Sequence, residues 1–163
     1  MIRDPIDRSR QTRREVLSAA GAAAGIGALG LSLTRPAAAT PAAMQEAIRK
    51  IVGEAAVSPG KVKIDMPPIV ENGNSVPCSV MVDSPMTEAD HVKAIHVFTE
   101  KNPQPNVISV KLGPRAGKAE IQTRVRLADT QTVVAICEMS DGSFWSEKVN
   151  VIITLGACLE DPV

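Results

Sequence analysis

The chain has 163 residues, enough for one domain of ordinary size, with 18 basic and 18 acidic residues. This balance gives no basic surface for nucleic acid or anionic lipid. Only Phe98, Phe144 and Trp145 are aromatic, so base-stacking surfaces and sugar-binding platforms are not expected.

Residues 1–39 have the layout of an export signal. A polar segment contains Arg13-Arg14 with Val16 and Leu17 just after it, a weakly apolar Ala/Gly run covers 19–33, and small residues end at Ala39. The paired arginines look like the twin-arginine signal, a receptor-read address. Because Ala and Gly contribute little transfer free energy, we predict a signal peptide cleaved after Ala39 rather than a transmembrane anchor.

One helix is predicted at the start of the mature chain. Thr40 can cap it, Pro41 suits its first turn, and Gly53 can end it. Apolar residues repeat at helical spacing between these ends, at Met44, Ala47, Ile48, Ile51 and Val52.

Without residues 1–39 the chain has 12 basic and 15 acidic residues, a net charge of −3.

Seven later segments are predicted to be strands, most of them alternating apolar and polar residues with the period of a half-buried strand. Asp141-Gly142 between the last two is a strong β-hairpin signal. The segments are 62–66, 76–82, 94–100, 107–112, 119–127, 132–139 and 144–155.

This pattern predicts an all-β fold. No long helices separate the segments, so a parallel doubly wound sheet is not expected, and the alternation suits antiparallel sheets with one buried face each. We predict an immunoglobulin-like antiparallel β-sandwich of about seven strands with a short N-terminal helix, within residues 40–155. The helix is expected to pack on an edge or an end of the sandwich.

Two of the three cysteines are predicted to be buried. Cys78 is in phase with Val76 and Val80, and Cys137 is in phase with Val133 and Met139, so both point at the core. They are either free thiols that behave as small apolar residues or partners in a disulfide, which an oxidising compartment permits. The sequence leaves both alternatives open, because it does not give the distance between them.

Cys158 lies beyond the last predicted strand, in segment 156–163. Gly156 and Ala157 offer little for packing, so we predict a mobile C-terminal arm with an accessible thiol. The negative charges of Glu160 and Asp161 nearby disfavour the thiolate form of Cys158. Cys158 would therefore suit an attachment point that an oxidising partner loads, rather than a nucleophile that is already activated in the free protein. The alternative is an incidental terminal cysteine or one that forms an intermolecular bridge.

Other reactive residue types suggest no active site. His91 and His96 are the only histidines, and at a spacing of five they cannot share one face of a strand. No further histidine completes a zinc or copper site, and no Ser/His/Asp or Cys/His arrangement is identifiable. We therefore expect no metal, no cofactor and no catalytic residue.

Four sequence motifs in the chain carry a family resemblance, together with Arg13-Arg14 and Cys158. The motifs are ENGNSVP at 71–77, SPMTEADHVKAIH at 84–96, RVRLAD at 124–129 and MSDGSFW at 139–145. They resemble SoxY, the sulfur-carrying subunit of the periplasmic thiosulfate-oxidising system. The resemblance covers essentially the whole mature chain in order.

The resemblance implies a function and a set of partners. It implies an immunoglobulin-like sandwich exported as a folded heterodimer with SoxZ, a second sandwich, and not attached to the membrane after processing. Cys158 would carry the sulfur intermediate as a covalent S–S adduct. A c-type cytochrome would couple thiosulfate to the thiol, a manganese-dependent hydrolase would release sulfate, and a sulfane dehydrogenase is a further expected partner.

The arm departs from the family pattern. The family usually ends in Gly-Gly-Cys-Gly-Gly, whereas this chain has Gly156-Ala157-Cys158-Leu159-Glu160 and three further residues. Ala157 and Leu159 have less backbone freedom than glycine. We predict a variant carrier with adapted partners, or one for another sulfur compound. The alternative is a non-catalytic periplasmic adaptor or binding module with a passive terminal thiol.

Overall fold

The computed structural model of the protein describes residues 40–156. One α-helix and nine strands lie in this range, and a short 3-10 turn at Pro114–Ala116 joins β6 to β7. In chain order the elements are α1 (Pro41–Val52), β1 (Val57–Pro59), β2 (Val62–Asp65), β3 (Ile69–Asn72), β4 (Val76–Val82), β5 (Val92–Thr99), β6 (Asn106–Lys111), β7 (Glu120–Val125), β8 (Gln131–Met139) and β9 (Phe144–Leu155).

The predicted helix and its end signals are confirmed. The Thr40 hydroxyl oxygen accepts a hydrogen bond from the Ala43 N–H at 3.1 Å, and Pro41 occupies the first turn. Gly53 ends the helix at φ 61°, where its N–H donates to the Arg49 carbonyl at 2.8 Å. Thr40 thus satisfies a donor that the first helical turn would otherwise leave free.

The strands form two sheets that pack face to face. The larger sheet has the order β1-β9-β8-β5-β6, with β3 also paired to β9, and the smaller has the order β2-β4-β7. The immunoglobulin-like all-β sandwich is confirmed, and all seven predicted strands are present. The Asp141-Gly142 hairpin is present as well, with Gly142 at φ 82° and the Met139 N–H donating to the Ser143 carbonyl at 2.9 Å.

Two strands were not predicted from the sequence, and both run parallel to β9. Val57 of β1 pairs with Phe144, and Ile69 of β3 pairs with Ile152. These strands have three and four residues, and prolines at Pro59 and Pro68 bound them, so neither carries a readable alternation. The sheet is therefore mixed, although the predicted pairings within it are antiparallel.

The main core lies between the two sheets. The inward residues of β4 and β8 follow the predicted phase, and Leu127, just past β7, completes the layer. The fully buried apolar members are Val76, Val80, Val92, Ile95, Val97, Leu127, Val133, Ala135, Cys137 and Val151. At about 25 cal/mol per Å² of buried apolar area, this layer is the principal stabilising feature of the fold.

A second apolar cluster lies on the outer face of the larger sheet. Met44 of α1 packs there with Phe98, Ile136 and Phe144, which come from β5, β8 and β9. The expectation that the helix packs on an edge or an end is therefore wrong. The helix covers a sheet face, because that face carries apolar side chains out of phase with the main core.

Candidate functional site

The predicted attachment residue follows β9, so the end of this strand determines where the arm begins. On one side the Ile152 N–H donates to the Pro68 carbonyl at 2.9 Å, and the Thr154 hydroxyl donates to the Glu71 carbonyl at 3.1 Å. On the other side the Ile153 N–H donates to the Thr130 hydroxyl oxygen at 2.9 Å. Strand β9 is thus held from both sides almost to its last residue.

These hydrogen bonds on both sides of the strand, which we call the clamp on β9, extend to Leu155 through the turn after β3. The Gly73 N–H donates to the Leu155 carbonyl at 2.8 Å, and the Leu127 N–H donates to the Gly73 carbonyl at 2.9 Å. Because Leu127 is buried in the main core, this chain of hydrogen bonds ties the strand end to the core. The next residue, Gly156, is half-buried and ends the described range.

The predicted site residues fall partly outside the described range. Cys158 and Ala157 lie outside it, and so does the rest of the predicted arm. Gly156 lies at its boundary, directly after the clamped strand. The structure therefore defines the base of the predicted arm at Gly156, and the roles of Cys158, Gly156 and Ala157 stay predictions.

Large apolar side chains are exposed at this end of the sandwich. Ile69 and Ile152, which are neighbours across β3 and β9, are 62% and 44% exposed, and Leu155 is 60% exposed. Clustered apolar exposure of this kind is typical of a surface that meets another molecule.

The other two cysteines are buried, as their phase predicts, and of the two alternatives left open by the sequence the structure has free thiols. Neither Cys78 nor Cys137 is in a disulfide, and the two lie on different sheets. Burial raises the pKa of Cys78 above its ordinary value of 9.0 and raises the pKa of Cys137 to about 11. Both are therefore protonated at neutral pH and inaccessible, which makes them poor nucleophiles.

One pairing of polar residues was missed from the sequence. His96 on β5 lies opposite Ser109 on β6, and the His96 Nδ1 is 2.8 Å from the Ser109 hydroxyl oxygen. Asn106 also hydrogen-bonds that hydroxyl, at 3.0 Å. The pairing register of β5 with β6 brings these side chains together, and their spacing along the chain does not reveal it. Ser109 is exposed on the sheet surface, so the pair lacks the enclosed geometry of a catalytic site.

The histidines do not form a metal site within the described range. His91 Nδ1 lies 3.0 Å from the Thr87 carbonyl, whereas His96 faces Ser109. Among residues 40–156, no group of three or more His, Cys, Asp or Glu is placed to hold a metal ion. In the same range, no helix is long and apolar enough to span a membrane.

A buried polar junction near the arm base was also missed. The Asn102 amide donates to the Arg126 carbonyl at 2.7 Å and accepts from the Ala128 N–H and the Gln131 amide, both at 3.0 Å. This junction ties the β5–β6 loop to the β7–β8 loop. Its partners are 24 to 29 residues apart in the sequence, so no local signal marks them.

The described residues thus define an immunoglobulin-like β-sandwich protein whose last strand is held firmly up to the base of a cysteine-bearing segment. The family model for the sulfur oxidation protein SoxY matches residues 48–158 of this sequence. That match covers more than half of the chain, so the chain belongs to the SoxY family.

Solved structures agree with this assignment. The sulfur carrier protein SoxY from Chlorobium limicola f thiosulfatophilum superposes with a TM-score of 0.60 at 28% identity, over 70% of this chain and 98% of that one. A superoxide reductase (neelaredoxin) from Ignicoccus hospitalis superposes with a TM-score of 0.52 at 16% identity, over 58% of this chain and 80% of that one. The second likeness concerns the fold alone. A comparison with curated proteins gave no match.

Proposed function

We propose that the protein is a sulfur carrier of thiosulfate or sulfur oxidation, which binds the sulfur intermediate covalently through Cys158 and presents it to partner enzymes. The observation that carries this proposal is the family match, which extends past the last strand and ends at Cys158 itself. The similar Chlorobium protein is described as a sulfur carrier, which supports the same function.

The chemistry of the proposed carrier requires an oxidant at loading and water at release. In loading, the S–H bond of Cys158 breaks and its proton goes to solvent, while the Cys158 sulfur and the outer sulfur of thiosulfate each give up one electron as the S–S bond forms, and a c-type cytochrome accepts the two electrons. In release, water attacks the terminal sulfonate sulfur and the bond between that sulfur and the middle sulfur breaks, so that sulfate leaves, a persulfide anion stays on Cys158 and the two protons of the water go to solvent. A manganese-dependent hydrolase of the partner set would catalyse that release, and a sulfane dehydrogenase would oxidise the remaining sulfur.

The scaffold supports a carrier role without chemistry of its own. Its two buried thiols have raised pKa values, so they would not compete with Cys158 for the cargo. The clamped end of β9 would give partners a fixed surface beside the arm, and the exposed Ile69, Ile152 and Leu155 lie on that surface.

The remaining parts of the proposal concern export and assembly. Residues 1–39 would be a twin-arginine signal peptide, 40–155 the sandwich with its helix, and 156–163 the arm. The mature protein would work in the periplasm as a heterodimer with a SoxZ-like subunit. Mass spectrometry of the exported protein should find Thr40 at its N-terminus, whereas an uncleaved chain in the membrane fraction would contradict the signal peptide.

The decisive experiment is to load the purified protein with thiosulfate in the presence of the cognate cytochrome. We expect a thiosulfonate adduct on the peptide that contains Cys158, detected by mass spectrometry, and its loss in Cys158→Ser. Cys78→Ala is the matched control, because it removes a buried thiol and should leave the adduct in place. An adduct of equal yield in Cys158→Ser would rule out the proposed attachment site.

A further inference from the structure

Among the strands of residues 40–156, β7 has the free edge best suited to pair with another strand. It ends the smaller sheet, and its six residues keep an unbroken register with β4. Strand β2, at the opposite edge of that sheet, is closed, because the Glu147 carboxylate accepts the Ile64 N–H. In the larger sheet, β1 and β3 have only three and four residues, and a register shift interrupts the pairing of β6 with β5. An uncovered edge of this kind is a template for pairing.

The backbone of β7 alternates between its neighbour β4 and the free edge. The Val82 N–H donates to the Ala119 carbonyl at 2.9 Å, and these two residues continue the pairing register of β4 with β7. Opposed residues of an antiparallel pair alternate between hydrogen-bonded and unbonded. Every second residue of β7 therefore bonds to β4, and the others have N–H and C=O groups that point to the free edge. These others are Glu120, Gln122 and Arg124.

The charged side chains of β7 complement each other across this edge. Glu120 and Arg124 alternate with Ile121, which packs against the main core, so both lie on the outer face of the smaller sheet. Neither is in an ion pair with another residue of the range 40–156. Nη1 of Arg124 donates to the Ser75 carbonyl at 3.1 Å. A guanidinium has five N–H donors, so donors stay free for a carboxylate.

The inner face of β7 is incompletely covered. Thr123 lies opposite Cys78, whose side chain is in the main core, so Thr123 faces inward. It is nevertheless exposed, and Ile121 on the same face is only half-buried. A second strand alongside β7 would cover both side chains.

We propose that β7 pairs antiparallel with β7 of a second copy of this chain, about a twofold axis at Gln122. The pairing places Glu120 of each copy opposite Arg124 of the other, and Ile121 opposite Thr123. Opposed side chains are about 4.5–5.5 Å apart at Cβ, so two ion pairs form across the edge. Two three-stranded sheets become one sheet of six strands. The second copy is the partner that fits, because β7 itself has the acid, the base and the apolar residue that its edge requires.

The first test is sedimentation equilibrium of the purified protein between about 1 μM and 1 mM. A reductant is present, so that Cys158 forms no intermolecular bridge. We expect a dimer whose fraction rises with concentration. In the dimer the amides of Glu120, Gln122 and Arg124 should exchange hydrogen more slowly, because they gain acceptors, whereas the alternate amides already bond to β4. A monomer throughout this range would overturn the inference.

The second test removes the donor on the twofold axis. The Gln122 N–H points away from β4, so Gln122→Pro keeps the ladder with β4 and should weaken dimerisation by about tenfold or more. Ser109→Pro is the matched control on the free edge of β6. The Ser109 N–H points away from β5, because the Leu112 N–H donates to the Lys93 carbonyl at 2.8 Å. A dimer lost in Ser109→Pro and kept in Gln122→Pro would overturn the inference by placing the interface at β6.

The third test exchanges the charges. Arg124→Glu sets an acid opposite Glu120 of the other copy, and Glu120→Arg sets two bases opposite each other, so each should weaken dimerisation by about fivefold or more. Both changes together should restore it. Lys63→Glu is the control, because it makes the same charge change as Arg124→Glu on β2, away from the edge. Urea denaturation checks that each variant is folded, and a folded double variant that stays monomeric would contradict the ion pairs.

A SoxZ-like subunit is the alternative partner for this edge. If the outward amides of β7 are protected only when that subunit is added, pairing between copies is wrong. The outcome is independent of the proposed carrier function. Failure of thiosulfate to load Cys158 would overturn the carrier function and leave the dimer intact, whereas a loaded Cys158 on a strictly monomeric protein would overturn the dimer alone.

Discussion

The two apolar clusters of this protein are built on different rules. The core between the sheets consists of residues in phase along their strands, such as Val133, Ala135 and Cys137. The cluster under α1 uses Phe98 and Ile136, which lie on the opposite face of the same strands. The outer face of the smaller sheet, which is exposed within residues 40–156, has Lys63 and Gln122 at comparable positions. The polarity of a sheet face therefore depends on what covers it.

The comparison predicts its largest effect in the main core. Leu127→Ala should lower the free energy of unfolding by about 3 kcal/mol, because the Leu127 side chain is fully buried and its truncation leaves a cavity in the main core. Urea denaturation measures the effect. Leu155→Ala is the matched control and should change stability by less than about 0.5 kcal/mol, since Leu155 is largely exposed. Equal effects at both positions would contradict the assignment of the core.

A smaller and more local effect is expected in the helix cluster. Met44→Ala should cost about 2 kcal/mol, because Met44 is the buried contact of α1 with the sheet. Amide hydrogen exchange should become faster in residues 41–52 and stay slow in β8, which would show that the two clusters open separately. Met81→Ala, on the exposed face of the smaller sheet, is the control. Uniformly faster exchange throughout the chain would mean that the clusters form one cooperative unit.

The smallest effect concerns pH and His96, beside the helix cluster. Burial lowers the pKa of His96 below its ordinary value of 6.5, and the Glu138 carboxylate partly opposes this shift. The folded protein thus binds fewer protons than the unfolded chain just below pH 6.5. The free energy of unfolding should therefore fall as the pH drops through 6.5 and level off below the folded pKa.

Urea denaturation between pH 7 and 5 measures this dependence, which His96→Gln should flatten and His91→Gln should leave in place. An unchanged slope in His96→Gln would rule out His96 as the source of the pH dependence.

The lowered pKa values of Glu46, Asp129 and Asp141, which come mainly from side-chain hydrogen bonds, affect stability in a more acidic range, below about pH 4.5.

The sequence predicts well whatever follows from local periodicity. The helix ends, the seven alternating strands and the burial of Cys78 and Cys137 all follow from residue phase and cap residues, and the structure agrees. Strands β1 and β3 could not be predicted, because their parallel pairing with β9 is decided by residues more than 80 positions away. Likewise, His96 meets Ser109 only through the register of two strands. Long-range register is set by the whole fold and leaves no local signal.

At the base of the predicted arm, too, one part could be predicted from the sequence and another could not. Its position after residue 155 follows from the end of the alternating pattern. The clamp around it does not, because Thr130, Gly73 and Pro68 reach β9 from three separate loops. Each contributes a backbone group or a hydroxyl, and such contacts carry no distinctive residue pattern.

On the proposed carrier function, the clamp on β9 would also limit how far the thiol of Cys158 can travel. Cys158 is three residues beyond the last clamped position, which permits a radius of roughly 10 Å for its backbone. An enzyme whose reaction centre lies deeper than this tether cannot be reached by the arm alone. On that proposal, the entrance of a partner enzyme would have to contact the end of the sandwich, so the shape of that end would select partner enzymes as much as the bound sulfur would.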